Sequence, residues 1–259
     1  MIDSTNQARD RLAASFGYQE VRPEDKPALV RDLFARVAWR YDLMNDLMSA
    51  GVHRLWKAAL IDWLAPRPDM RLLDVAGGTG DIAFRVLHRV APSEASPRIV
   101  VCDVNPAMLA VGRDRAIDAN RLDAIEWVCA DAEALPLPDS SVDACTIAFG
   151  IRNVTRIDRA LAEARRVLVP GGRFLCLEFT PAPSPALRAA YDLYSFTVVP
   201  WLGERIAGDQ AAYRYLVESI RRFPDQATFA RMIEQAGLER VRHRDLSGGI
   251  AAIHSAWRL

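Results

Sequence analysis

Asp74, Gly77, Gly78, Thr79, Gly80 and Asp81 stand together in the stretch Arg71-Leu-Leu-Asp-Val-Ala-Gly-Gly-Thr-Gly-Asp81, where an apolar run ends in an acid and then in three glycines before an amphipathic segment. That pattern reads as strand, tight loop and helix. Glycines in such a loop let the backbone take positive φ and bring its amides close to a ligand, where a Cβ would intrude. The loop therefore suits a nucleoside-like cofactor, and the flanking acids bear on which one. Gly78-Thr-Gly80-Asp-Ile-Ala83 also satisfies the dinucleotide pattern G-x-G-x-x-A. A pyrophosphate, however, needs the partial positive charge of the helix N-terminus unopposed, and Asp81 sits there. A cationic ligand tolerates that carboxylate. S-Adenosylmethionine, with a sulfonium and an ammonium, fits between Asp74 and Asp81 better than a dinucleotide does. The plain alternative for the loop alone is an acidic helix start beside an ordinary glycine turn.

Other acids fall where a nucleoside needs them. Arg98-Ile-Val-Val-Cys-Asp103 reads as a second strand whose terminal acid lies 23 residues beyond Gly80, in place to accept both ribose hydroxyls. A third strand, Ile125–Ala130, precedes Asp131-Ala132, and an acid there can receive the adenine amine. Val142–Phe149 reads as a fourth strand, Ile157–Leu168 as a helix, and Val169-Pro-Gly-Gly-Arg173 as a turn into a fifth strand, Phe174–Phe179. This succession of strands, acids and glycines resembles the class I S-adenosylmethionine-dependent methyltransferases. The resemblance implies an α/β, Rossmann-like fold with a mostly parallel seven-stranded sheet, and Gly78, Thr79, Gly80, Asp74, Asp103, Asp131 and Ala132 as cofactor-binding residues.

Three regions organise the chain. Residues 1–68 are helical and form an N-terminal cap or lid, closed by Pro66 and Pro68. Residues 69–259 form the cofactor-binding domain, with a helical insertion at about 184–223. Leu238–Asp245 and Ile250–Trp257 read as strands joined by Ser247-Gly248-Gly249, a hairpin that closes the sheet with one antiparallel strand. Cys102, Cys129, Cys145 and Cys176 fall singly in or at the ends of predicted strands, and read as small buried hydrophobes in a reducing compartment. Lysine plus arginine equals aspartate plus glutamate at 33 each, so nothing draws the chain globally toward nucleic acid. No apolar stretch approaches the roughly 20 residues of a membrane span, and the polar start does not read as a signal peptide. A cytoplasmic location is expected, with at most peripheral contact at the inner face of the membrane.

Outside the cofactor half, Tyr41-Asp42-Leu-Met44-Asn45, Ser49, His53 and Trp56 form an unusually polar and aromatic cluster for a cap helix. Packing alone would explain part of it, since Phe34, Val37, Tyr41, Met44 and Met48 recur at helical spacing. Together with Phe149-Gly-Ile-Arg152-Asn153-Val-Thr, Arg166–Thr180 and Tyr213–Gln226, the cluster resembles the ubiquinone/menaquinone biosynthesis C-methyltransferase family (UbiE) from about Phe34 onward. Ala148 stands where some members place a cofactor-contacting serine, so that position is not assigned to the site.

The resemblance implies methylation of a ring carbon of a polyprenylated quinol, 2-methoxy-6-polyprenyl-1,4-benzoquinol, demethylmenaquinol or both. It also leaves room for association with other quinone-biosynthesis enzymes and for a homodimer. Such chemistry needs alignment and phenolate stabilisation, and neither a metal nor a covalent intermediate. Arg152 and Asn153 follow the fourth strand at the carboxyl edge of the sheet, where α/β ligands bind. Arginine is a poor base, so Arg152 reads as a phenolate stabiliser or an orienter of water, or else as the partner of an acid such as Asp42 or Glu178. His53, with an ordinary pKa near neutrality, is the alternative base or a helix-end packing residue. Tyr41 and Asp42 are candidates to close over the acceptor. Tyr191, Tyr194, Phe196, Val198, Val199 and Trp201 are candidates for a prenyl tail or for core. Rival readings are an O- or C-methyltransferase acting on a sterol or phospholipid headgroup, a Rossmann oxidoreductase, and a nucleotide-binding regulator.

Overall fold

The protein is seen in a computed structural model in which residues 2–37, 46, 49, 51–90, 96–181, 197 and 210–259 are described. Ahead of the sheet come α1 (Ile2–Ala13), a small hairpin of β1 (Ser15–Phe16) and β2 (Gln19–Glu20), α2 (Lys26–Val37) and α3 (His53–Leu64). The hairpin is an addition to the helical reading of this region. Alternating strands and helices follow: β3 (Arg71–Val75), α4 (Asp81–Arg89), β4 (Arg98–Asp103), α5 (Pro106–Asp118), β5 (Ile125–Cys129), β6 (Val142–Ala148), α6 (Ile157–Val167) and β7 (Leu168–Phe179). After them come α7 (Gln210–Arg222), α8 (Gln226–Gln235), β8 (Glu239–Leu246) and β9 (Ala251–Trp257).

The seven-stranded sheet runs β5-β4-β3-β6-β7-β9-β8. β9 pairs antiparallel with both neighbours, and the pairs β3·β4, β3·β6, β4·β5 and β6·β7 are parallel. The strand order reverses between β3 and β6, which opens a crevice at their carboxyl ends. Strand alternation serves both faces: Leu72 and Leu175 join the core beneath α2, α3 and α4, while Leu73, Cys145 and Phe174 join the core beneath α1, α6 and α8. Helices α2 and α3 thus share the core of the sheet: Phe34, Trp56 and Leu60 pack in one cluster with Leu72 and Ile82.

Two local expectations are corrected. Cys102, Cys145 and Cys176 are buried, whereas Cys129 is exposed, because it ends the edge strand β5 where no further strand covers it. The Pro-Gly-Gly segment is not a turn ahead of a separate strand. β7 already pairs at Leu168 with Val142 and resumes at Arg173 with Ala144, so residues 169–172 form a bulge within one strand. Gly171, at φ 80°, donates its amide to the Arg258 carbonyl, and the Arg258 amide donates to Gly172, which ties the bulge to the chain's last residues.

Candidate functional site

At the carboxyl end of the sheet two cavities meet at Ala76. The larger lies between the tips of β3, β4 and β6 and the overlying helix α2, and Gly78, Asp103, Asp131, Ala132 and Asn153 all line it. Asp103 organises it: Oδ2 accepts from the Gly78 amide at 2.9 Å and Oδ1 from the Asn105 amide at 2.8 Å. Burial pushes its pKa up to about 6, against the pull of these two hydrogen bonds. Each carboxylate oxygen keeps a further acceptor site, as a vicinal diol requires. Asp131 is exposed at the cavity mouth and accepts from the Glu133 amide at 2.9 Å, while the neighbouring Ala132 is buried. Val30, Arg31 and Phe34 of α2 form the roof, and Asn105 Nδ2 donates to the Arg31 carbonyl at 3.2 Å to hold it down.

Gly80 precedes α4 at φ 77°, and a Cβ on it would lie 2.6 Å from the Trp127 ring. The loop can therefore lie against the indole only as glycine. Thr79 is buried, and its hydroxyl accepts from Arg115 at 2.9 Å.

The smaller cavity is lined by Lys57, Asp74, Ala76, Gly77, Thr79, Asp81, Ile82 and Ala148. Asp74 is fully buried and its Oδ1 accepts from the Thr146 hydroxyl at 2.8 Å, while Oδ2 has no hydrogen-bond partner among the described residues. A Cβ on Gly77 would come within 2.7 Å of that oxygen, so the glycine keeps it reachable. Desolvation raises the Asp74 pKa to about 7, with Lys57 and the Thr146 hydrogen bond opposing. A buried carboxylate lacking a donor is costly until a cation or donor meets it. These residues fit the ammonium and adenosyl ends of S-adenosylmethionine. The charge argument from Asp81 is modified, because Asp81 is paired with Lys57 at 2.7 Å and Arg85 at 3.2 Å. Of the acids that line the two cavities, Asp74 and Asp103 are the buried ones without a cationic partner among the described residues.

Among the catalytic candidates, Arg152 takes the structural partner foreseen for it. Its Nη1 lies 2.6 Å from Glu178 Oε1 and donates to the Phe149 carbonyl at 2.8 Å, with both side chains buried. Burial pushes the Glu178 carboxyl up, and Arg152 opposes. Arg152 is not among the described residues lining either cavity, whereas Asn153 is, with its Oδ1 accepting from Tyr215 at 2.9 Å. His53 is buried at the start of α3, its Nε2 bonded to Asp46 Oδ1 at 2.8 Å. Desolvation lowers its pKa despite Asp46, so any acidic limb it produces falls below the 6.5 of a free imidazole. Tyr41, Asp42, Met44, Met48 and the six residues proposed for a prenyl tail lie outside the described residues.

The model of the ubiE/COQ5 methyltransferase family matches residues 19–258. The chain belongs to that family. It is 59% identical over 244 residues, 94% of this chain and 96% of the relative, to the ubiquinone/menaquinone biosynthesis C-methyltransferase UbiE of Paracoccus denitrificans. A relative of the same name from Methylobacterium nodulans is 59% identical over 257 residues, 97% of this chain and 99% of that one. The fold is that of class I methyltransferases. A geranyl diphosphate C-methyltransferase from Streptomyces coelicolor, solved with Mg2+, geranyl diphosphate and S-adenosyl-L-homocysteine, aligns at TM-score 0.56, 15% identity and 82% of each chain. The [4+2]-cyclase SpnF aligns at TM-score 0.59 and 19% identity over 88% of this chain and 95% of that one, so the fold alone does not name a reaction.

Two buried lysines escaped the sequence reading. Lys57 faces the smaller cavity. Lys26 donates to the carbonyls of Leu12 at 2.8 Å and Val154 at 3.2 Å, so it ties the end of α1 and the start of α2 to the loop that lines the larger cavity, and burial lowers its pKa to about 8. Phe149, at φ 60°, directly follows β6 in a conformation rarely adopted outside glycine, and it is among the residues that line the larger cavity.

Proposed function

We propose that this chain transfers a methyl group from S-adenosylmethionine to a ring carbon of a polyprenylated quinol, the benzoquinol or naphthoquinol precursor of ubiquinone or menaquinone. The observation that supports this most is the pair of adjoining cavities, with Asp103 at the adenosyl end and the unpartnered Asp74 Oδ2 at the other. The names of the relatives at 55–59% identity supply the acceptor class. Bound there, the cofactor supplies a methyl group made electrophilic by its sulfonium.

On this reading the chain's work is alignment and electrostatics. Gly78, Asp103, Asp131 and Ala132 fix the nucleoside, and Asp74 fixes the ammonium. The Arg152–Glu178 pair holds Phe149 and Asn153 at the tip of β6, so Arg152 acts as a positioning residue. His53, neutral against Asp46, is the proton acceptor to test among the described residues, and Tyr41 and Asp42, 12 and 11 residues earlier in the chain, are the candidates to close over the acceptor. No helix among the described residues is long and apolar enough to cross a membrane, and peripheral contact is the proposed route to a lipid-dissolved quinol.

The test supplies purified protein and S-adenosylmethionine with each reduced, demethylated prenyl quinol and with its oxidised quinone. Mass spectrometry should find a new ring C–methyl on at least one quinol and none on the electron-poor quinones. Equal turnover of quinone and quinol, or methylation at a ring hydroxyl, would overturn the reading.

A further inference from the structure

Lys57 lies in the second turn of α3 with its side chain only 4% exposed, and its Nζ donates to Asp81 at 2.7 Å. Burying an ammonium costs several kcal/mol unless its donors are satisfied. Asp81 alone is a poor reason for that cost, because Arg85, one turn along α4, already reaches it at 3.2 Å from a more exposed position. An ammonium has three N–H donors, and Asp81 is the one hydrogen-bond partner given to Lys57 by the described residues. The nitrogen also stands 5.9 Å from the centre of the ring of Phe149, a residue that lines the larger cavity.

The smaller cavity therefore presents a buried ion pair, Lys57 with Asp81, and beside it the buried, unpaired carboxyl of Asp74. Asp74 Oδ2 has an acceptor without a donor, and Lys57 has donors beyond the one it spends on Asp81. A simple cation would satisfy Asp74 and meet repulsion from Lys57, while a simple anion would meet the reverse. A zwitterion with ammonium and carboxylate on one carbon satisfies both.

We propose that this cavity is an α-amino-acid subsite in which Lys57 Nζ donates to the carboxylate of the cofactor's methionyl group while Asp74 Oδ2 accepts from its ammonium. The assignment rests on the cofactor reading above and adds to it a residue contributed by the cap. Cofactor binding then ties α3 to the glycine loop through Lys57, because the same side chain bridges to Asp81 at the start of α4. Arg85 keeps Asp81 paired when Lys57 is removed, so the substitution is tolerable to the fold.

Calorimetric titration of S-adenosylmethionine and decarboxylated S-adenosylmethionine into wild type, Lys57→Met and Lys57→Arg isolates the carboxylate. Wild type should prefer the intact cofactor by about 10- to 100-fold, the range of a charge-assisted hydrogen bond. Lys57→Met should lose that preference by weakening the intact cofactor alone, with the decarboxylated ligand unchanged within about twofold, and Lys57→Arg should retain most of it. Equal weakening of both ligands in Lys57→Met would make Lys57 only the partner of Asp81 and overturn the subsite. If wild type binds both ligands equally, the subsite falls while the cofactor reading stands. If it binds neither, the cofactor reading falls and takes the subsite with it. Should Lys57→Met not fold, the wild-type preference and its retention in Lys57→Arg still decide.

Discussion

Asp74→Asn should stabilise the ligand-free protein in a pH-dependent way while weakening cofactor binding. The native pKa of Asp74 is raised from 3.8 to about 7, so between those values the folded state holds a proton that the unfolded state has released. Stability from this group is complete below about pH 3.8 and declines as pH rises through 7. Each pH unit in that window costs about 1.4 kcal/mol, so about 2 kcal/mol is lost between pH 5.5 and 7. Asparagine does not titrate. It keeps an oxygen for the Thr146 hydroxyl, 2.8 Å away in wild type, and places an amide NH2 where Oδ2 has no donor. The burial cost of that NH2 is independent of pH and cancels when two pH values are compared. The variant should therefore gain about 2 kcal/mol on wild type in going from pH 5.5 to 8, equivalent to roughly 4–8 °C in Tm for a chain of this size. Thermal melts of both proteins at the two pH values, with and without S-adenosylhomocysteine, provide the measurement. The ligand should raise the wild-type Tm at pH 8 and leave the variant nearly unmoved. A Tm difference between the proteins that is the same at both pH values would refute the claim that Asp74 is destabilised by its burial.

Two further outcomes follow from packing. Glu178→Gln should cost about 3–5 kcal/mol in denaturant unfolding because it leaves Arg152 buried without its anion, and a double variant Arg152→Met with Glu178→Leu should recover most of that stability while kcat stays low; recovery of turnover as well would remove Arg152 from the mechanism. Gly112→Ala in α5 should lower Tm, although alanine is the better helix former, because its Cβ would lie 2.3 Å from the Trp127 ring, which packs on Gly80 in turn; a raised Tm with unchanged cofactor affinity would show that the indole moves freely.

What could be read in advance was whatever the local pattern dictates. Apolar runs ending in Asp74, Asp103 and Asp131 have to be strands with acids at their carboxyl ends, because the parallel sheet is covered on both faces and leaves only its edges for polar groups. The tail hairpin was legible from Ser247-Gly248-Gly249 for the same reason. Its insertion of β9 between β7 and β8 was not, since the partner strand lies more than 70 residues away. Lys57 looks like an ordinary surface residue in sequence, and its buried partner Asp81 lies 24 residues away, whereas the pairing of Glu178 with Arg152 was one of the two alternatives the sequence offered. Lys26 is illegible in principle, because its acceptors are backbone carbonyls, one of them 128 residues distant. Cys129 was misread because a strand pattern does not say which strand is the sheet's edge.

The buried charges explain why the site stays open to a cationic ligand in an otherwise well-packed molecule. Asp74 and Asp103 are both pushed upward by burial, to about 7 and about 6, and both lie beside glycines whose Cβ would crowd them or the neighbouring loop. Phe149 and Ala76 take positive φ at the same edge of the sheet. Each feature raises the free energy of the ligand-free state, and each is relieved or held in place by a ligand that brings a cation and ribose hydroxyls. Binding is then coupled to proton release. Below about pH 7 the ammonium must displace a proton from Asp74, so affinity should fall toward acid, and the protons lost by Asp74 and Asp103 should appear in the buffer. A dinucleotide would act in the opposite sense, since its pyrophosphate would raise both carboxyl pKa values further and take up protons on binding. The sign of the proton flux therefore separates the two cofactor classes for which the glycine loop alone is ambiguous.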